Sequence, residues 1–189
     1  MYHALLLDVR FLTMLLGIDR EVAAAVKATG CPCGGRLHGG DFRRKPRGGP
    51  AGLGVEHEMR FSFCCGEEGC RKRTTPASVR FLGRRVYLGM VVLLGALFEG
   101  GVTAGRVRDL QELTGSPIDR RTLTRWVEWW RETLPKSRGW RAMTGLFRGR
   151  VEVGRLPLSL LELVGGEDAA TRVSRLLGLL SGRRIDHAV

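Results

Sequence analysis

The chain has 189 residues, with 31 lysines and arginines against 19 aspartates and glutamates, which gives a net charge of +12. Hydrophobic residues make up 43% of the sequence, which excludes a chain too polar to form a packed core. The positive charge favours a polyanionic partner, because each phosphate that a basic side chain neutralises releases a counterion.

The apolar stretches do not resemble targeting or membrane segments. Residues 5–18 are interrupted by Asp8 and Arg10, and residues 86–98 fall short of the roughly 20 residues that a membrane span needs. We therefore predict a cytoplasmic protein that does not enter a membrane.

Residues 1–29 have the periodicity of helices. Leucines and a valine between Leu5 and Leu16 recur at helix spacing, and Asp19 is positioned to cap a second short helix that Gly30 would end. We expect these N-terminal helices to cover the segment that follows.

Residues 30–75 contain all five cysteines of the chain, in two clusters, CPCGG and FCCGEEGC. Such clusters in a chain without a signal peptide favour a metal over disulfides. Residues 36–42 and the alternating residues 55–63 are predicted to be strands on either side of a basic Pro/Gly-rich loop. The pattern predicts a small β zinc ribbon.

Tetrahedral zinc takes four soft ligands, so one cysteine is spare. The preferred ligand set is Cys31, Cys33, Cys65 and Cys70. Cys64 adjoins Cys65 on a strand and should face the other way, while His38 and His57 are reserve ligands. With four protein ligands the zinc would be structural.

Residues 76–135 are predicted to form a helical DNA-binding region. A buried helix is expected over residues 84–98, Thr103 caps a helix to about Leu113, and Asp119 caps another over residues 120–134. Two helices joined by a glycine-containing turn are typical of a helix-turn-helix. The alternative is an ordinary helical hairpin with solvated arginines.

Two groups of side chains are predicted to contact DNA. The second helix would present base-reading side chains to the major groove: these are Arg120, Arg121, Thr124 and Arg125. The phosphate-binding candidates are Arg43, Arg44, Lys45, Arg71, Arg73, Arg80, Arg84 and Arg85. Trp129 is the exposed candidate for stacking on a base, whereas Trp126 and Trp130 lie on the apolar face of the helix.

Residues 136–189 begin with a basic linker and continue as two short amphipathic helices, over 156–164 and 168–180. Leu176, Leu177 and Leu180 are expected to pack one face of the second helix. The predicted fold is therefore mainly α, with a small β zinc ribbon followed by a helix-turn-helix.

Three segments carry a resemblance: residues 31–48, 61–87 and 118–135. They resemble a group of uncharacterised transposon-associated bacterial proteins, over about residues 30–160. The layout is also similar to the N-terminal zinc-ribbon and helix-turn-helix region of insertion-sequence transposases. That resemblance implies cysteine ligands to zinc and DNA contacts from the second helix. The catalytic domain of a transposase is not expected, because no strand–helix alternation follows Trp140.

These observations favour a DNA-binding accessory or regulatory factor of a mobile element, acting on double-stranded DNA and without enzymatic activity. One alternative is an adaptor that docks a transposase or polymerase through the ribbon and the C-terminal leucines. A lesser alternative is a small metal-dependent nuclease that uses Asp41, Glu56 and Glu58 near His57.

Overall fold

The computed structural model describes residues 2–44, 46–82, 87–97, 101–147 and 151–182. The protein is mainly helical with short antiparallel strands, which confirms the predicted balance of secondary structure. The helices are α1 (Val9–Thr29), α2 (Gly89–Leu94), α3 (Ala104–Thr114), α4 (Arg120–Glu128), α5 (Arg138–Thr144), α6 (Leu158–Leu163) and α7 (Ala169–Leu180). The strands are β1 (Leu37–Gly39), β2 (Phe42–Arg43), β3 (Met59–Arg60), β4 (Phe63–Cys65) and β5 (Arg73–Thr74). Among the described helices, none combines the length and apolar character that a bilayer crossing requires.

Helix α1 is continuous, so the predicted break at Asp19 is wrong. Asp8 caps the helix by accepting hydrogen bonds from the N–H groups of Arg10 and Phe11, and Gly30 follows its end with φ of 78°. Asp19 does not cap a second helix, because it is buried in the middle of α1 and is 1% exposed. The first half of α1 packs into the main core, and Ala23 packs beside Cys31 and Cys65, so α1 covers the cysteine region as expected.

The strands form two small antiparallel sheets. Strand β4 lies between β1 and β5, and β2 pairs with β3. The predicted strand over 55–63 is only partly correct, because Val55–Glu58 is a 3-10 turn. Arg80 explains the turn: its guanidinium donates to the carbonyls of His57 and Met59, each at 2.8 Å, and holds this backbone out of the sheet.

Helix α2 is shorter than the helix predicted over 84–98. Leu88 has extended backbone angles, and its N–H donates to the carbonyl of Arg47, so the helix begins at Gly89. All six residues of α2 are buried. Close packing requires glycine at the first residue of α2 and directly after its end: a Cβ on Gly89 would lie 2.8 Å from Leu82, and one on Gly95 3.0 Å from Trp126.

The predicted caps of the next two helices are confirmed. Thr103 accepts a hydrogen bond from the N–H of Arg106, and Asp119 accepts one from the N–H of Thr122 at 2.6 Å. Gly115 ends α3 in the left-handed conformation. Beyond Glu128 the chain continues as a π-helical turn, Trp129–Thr133. The predicted apolar face is buried at Leu123, Trp126, Trp130 and Leu134, with Val127 half-buried.

The cap of α4 is expected to make stability depend on pH. Its hydrogen bonds with Thr122 lower the pKa of Asp119 below the ordinary value of 3.8. The cap therefore contributes its full stability above the unfolded pKa, and this contribution is lost as the pH falls through the folded pKa. The difference in unfolding free energy between the wild type and Asp119→Ala should narrow between about pH 7 and about pH 3.

Denaturant unfolding of both proteins at each pH measures that difference and cancels effects that they share. Asp119→Asn is the matched control, because an asparagine caps a helix without titrating. A difference between the wild type and Asp119→Ala that stays constant with pH would contradict the prediction.

The C-terminal helices close the main core. Leu176 and Leu177 of α7 are fully buried and Leu180 is half-buried, as predicted. Asp168 caps α7 by accepting a hydrogen bond from the N–H of Thr171 at 2.7 Å. The C-terminal leucines at 176 and 177 therefore serve packing and are not available as a docking surface.

Candidate metal centre and basic surface

Four cysteine sulfurs meet at one point between the two cysteine clusters. The Sγ atoms of Cys33 and Cys65 lie 3.5 Å apart, and those of Cys31 and Cys70 lie 3.7 Å apart. All four lie within 4.8 Å of one another. A tetrahedral zinc with Zn–S bonds of about 2.3 Å has sulfurs about 3.8 Å apart. The separations therefore fit a metal ion, and they far exceed the bond of about 2.05 Å in a disulfide.

Two tight turns bring these sulfurs together. In the first, the N–H of Gly34 donates to the carbonyl of Cys31, and the N–H of Cys31 donates to the carbonyl of Gly35. Gly35 cannot carry a side chain, because its Cβ would lie 2.6 Å from the Sγ of Cys65. In the second turn, the N–H of Cys70 donates to the carbonyl of Glu67.

The thiols differ in acidity because of their hydrogen bonds and burial. The backbone N–H of Gly35, helped by the neighbouring thiols, lowers the pKa of Cys33 to about 7. The N–H of Glu67 also lowers the pKa of Cys65, but burial and the neighbouring thiols outweigh it and raise that pKa to about 12. A cation must therefore displace protons from the cluster, so metal affinity should increase with pH.

The spare cysteine and the reserve histidines lie outside this group. Among the described residues, the four cysteines are the group with metal-binding separations. Cys64 is the cross-strand partner of His38, whereas its neighbour Cys65 is the partner of Leu37, so alternation along β4 separates the two thiols as predicted. His57 is 5% exposed, and burial lowers its pKa.

The acidic residues of the nuclease hypothesis have separate partners. Asp41 accepts a hydrogen bond from the N–H of Ser62, and Glu58 forms an ion pair with Arg43 at 2.6 Å. Glu56 lies 3.8 Å from the Nε2 of His57. These carboxylates do not form a metal-binding group among the described residues.

The helix α4 carries the predicted base-contacting residues on its outer side. Arg120, Arg121 and Arg125 are exposed, and Thr124 is half-buried. Arg125 donates a hydrogen bond to the hydroxyl of Thr122 at 3.1 Å, which orients its guanidinium along the helix. Trp129 is half-buried rather than exposed, since it packs edge-to-face on Trp130 with ring centroids 5.0 Å apart.

The phosphate-binding candidates have different surroundings. Arg43, Arg71 and Arg73 are exposed, and Arg44 is half-buried with its guanidinium 5.7 Å from the ring centre of Phe81. Arg73 lies over the ring of Phe42 at the same distance. The remaining candidates, Lys45, Arg84 and Arg85, lie outside the described residues.

Arg80 does not bind phosphate, contrary to the prediction. It is 1% exposed, and its Nε lies 2.7 Å from the Oδ2 of Asp19, which is equally buried. Asp19 also accepts hydrogen bonds from the hydroxyl of Ser78 at 2.5 Å and from the N–H of Val79 at 2.8 Å. This buried ion pair ties α1 to the segment that leaves the cysteine region.

The sequence did contain one signal of this ion pair. Asp19 follows Leu12, Leu15 and Leu16 at helix spacing, so a continuous helix carries it on the buried face. A buried carboxylate needs a cationic or hydrogen-bonding partner. The identity of that partner, 61 residues away along the chain, was not predictable from the spacing.

A comparison of the chain with protein-family models, with curated proteins and with solved structures found no match.

Proposed function

We propose that this protein is a zinc-ribbon and helix-turn-helix protein that binds double-stranded DNA, as an accessory or regulatory factor of a mobile element. The proposal rests on the exposed arginines that line the outer side of α4. Three arginines, Arg120, Arg121 and Arg125, are exposed there, while the opposite side is buried in the core. The link to mobile elements rests on the sequence resemblance.

The arrangement of α3 and α4 supports DNA binding. A short connection that includes Gly115 joins α3 to α4, and each helix has a side-chain cap at its N-terminus. In a helix-turn-helix, the N-terminal residues of the second helix contact base edges in the major groove. Arginine binds guanine there through two hydrogen bonds, and threonine contacts bases or phosphates.

The cysteine group supports a structural role for zinc. Cys31, Cys33, Cys65 and Cys70 would supply four thiolate ligands, which leaves no coordination position for water. Bound there, zinc supplies a crosslink between the two turns. Exposed Arg71 and Arg73 adjoin the second turn, so the same crosslink would hold phosphate-binding side chains in place.

The proposal is tested by fluorescence anisotropy with the zinc-loaded protein. The probes are duplexes from the flanks of its own gene and a scrambled duplex, each measured over a series of salt concentrations. A preference for the flanking sequence supports sequence-specific binding. Equal affinities with a steep salt dependence indicate phosphate contacts alone. No binding at moderate salt contradicts the proposal.

Arg121→Ala and Arg125→Ala should each weaken binding to the preferred duplex by about 10-fold, since a good contact to a base contributes about 1–3 kcal/mol. Arg10→Ala is the matched control, because it removes the same charge from an exposed position on α1. Anisotropy titrations and circular dichroism on all three variants separate binding from folding. Wild-type affinity in both α4 variants would contradict the assignment.

An adaptor that docks a transposase or polymerase is the second candidate. Leu7, Val9 and Met14 favour it, because they are large apolar side chains that are 40–52% exposed near the start of α1. Weak DNA affinity together with a stable complex with a transposase would support the adaptor.

A further inference from the structure

The segment that leaves the cysteine region borders a partly open cavity with both apolar and cationic walls. The cavity has a volume of about 460 Å³, and its walls come from β3, the segment 75–82, the start of the π-helical turn and the end of α7. The residues that matter here are Arg60, Pro76, Phe81, Trp129 and Leu180. Small-molecule sites in proteins range from about 300 to about 1,000 Å³.

Arg60 contributes a buried guanidinium to this wall. Arg60 is buried, with 8% of its surface exposed. Its Nη2 donates to the carbonyl of Pro76, which lines the same cavity, whereas its Nη1 is buried without a hydrogen-bond partner. A buried guanidinium with an unpaired N–H group is costly, because it has given up water without a replacement.

The buried charges around Arg60 do not balance. Among the described residues, two arginines, Arg60 and Arg80, and one carboxylate, Asp19, are buried. Asp19 contacts Arg80 directly, so these three buried side chains together carry a surplus of one positive charge. Burial is the main cause that lowers the pKa of Arg60; the charge of Asp19 partly offsets it, and the charges of Arg80 and Arg44 lower the pKa further. A bound anion beside Arg60 would offset the charge surplus.

The other residues that line the cavity indicate the chemistry of the rest of the ligand. The ring of Trp129 and the side chains of Phe81 and Leu180 offer apolar surface, on which a flat hydrophobic group can pack. A surplus of a single charge suits a monoanion better than a phosphate dianion. We propose that this cavity binds a small organic carboxylate with an aromatic body, whose carboxylate pairs with Arg60 and whose ring packs on Trp129.

Calorimetry and tryptophan fluorescence on the full zinc-loaded chain test this proposal. The probes are benzoate and indole-3-acetate, with benzamide and indole-3-acetamide as neutral controls of the same shape. The carboxylates should bind and change the fluorescence, while the amides should bind at least about 10-fold more weakly, as expected for hydrogen bonds to a charged group. Inorganic phosphate should bind more weakly than either carboxylate.

Two variants separate binding from folding. Arg60→Met removes the cation and should weaken carboxylate binding by about 10-fold or more. Leu180→Trp leaves Arg60 in place, fills the cavity and should also prevent binding. Arg10→Met is the control that loses the same charge at an exposed position on α1 and should bind as the wild type does.

Five results would each overturn the proposal: no carboxylate binding by the wild type, amides that bind as tightly as carboxylates, tighter binding of phosphate, unchanged affinity in folded Arg60→Met, or unchanged affinity in folded Leu180→Trp. The proposal does not depend on DNA binding. A protein that fails to bind DNA can still bind the carboxylates, so the two outcomes are distinguishable.

Discussion

Cys33→Ser and Cys70→Ser are expected to lose zinc and to unfold at a markedly lower temperature than the wild type, whereas Cys64→Ser should retain both properties. The first two cysteines belong to the group whose sulfurs lie within 4.8 Å of one another, and Cys64 does not. Ligand removal leaves three thiols for a metal that takes four, and metal binding is coupled to folding.

The measurement combines zinc content by mass spectrometry of the metal with thermal unfolding by circular dichroism. The wild type and Cys64→Ser should carry about one zinc per chain. Chelation of the wild type should reproduce the lowered melting temperature of the ligand variants, and zinc should restore it. Unchanged zinc content and unchanged melting in Cys33→Ser or Cys70→Ser would contradict the ligand assignment.

The second large effect is expected at the buried ion pair between Asp19 and Arg80. Each partner is 1% exposed, so Asp19→Asn or Arg80→Met leaves the other charge buried without its counterion. Such a loss should lower the free energy of unfolding by about 3–5 kcal/mol. The ion pair connects α1 with the exit from the cysteine region, so the loss should also reduce protection from hydrogen exchange in α1.

Denaturant unfolding of both single variants and of the double variant Asp19→Leu/Arg80→Met measures the coupling. The double variant should lose less than the sum of the single effects, because it leaves no unpaired charge. Glu162→Gln is the control: it removes a surface partner of Arg155 and should change stability by about 1 kcal/mol at most. Single variants with wild-type stability would contradict the assigned role of the ion pair.

The segment after α4 differs from the regular helix that the sequence predicts, because it forms a π-helical turn. The sequence predicts one helix over 120–134, and the structure divides this segment into α4 and the turn Trp129–Thr133. In this turn the side chain of Trp130 is fully buried, and the indole N–H of Trp130 donates to the carbonyl of Val92 at 3.3 Å. Trp129 is left half-buried at the wall of the cavity that contains Arg60.

Local patterns in the sequence determined the elements that depend on neighbouring residues. The caps at Thr103 and Asp119 and the apolar face of α4 follow from spacing and side-chain chemistry within a few residues. The choice of four cysteines also followed from local geometry, because adjacent residues on a strand face opposite sides. The close approach of the four sulfurs agrees with that choice.

Only the tertiary structure decided which charged residues are buried. Arg80 lies in a basic stretch of the sequence, where a phosphate contact was the natural prediction, yet its partner Asp19 is 61 residues away. The 3-10 turn at Val55–Glu58 and the unpaired donor of Arg60 also depend on contacts between distant segments. Periodicity specifies the buried face of an element, but the pairing of buried charges depends on which faces meet in the folded core.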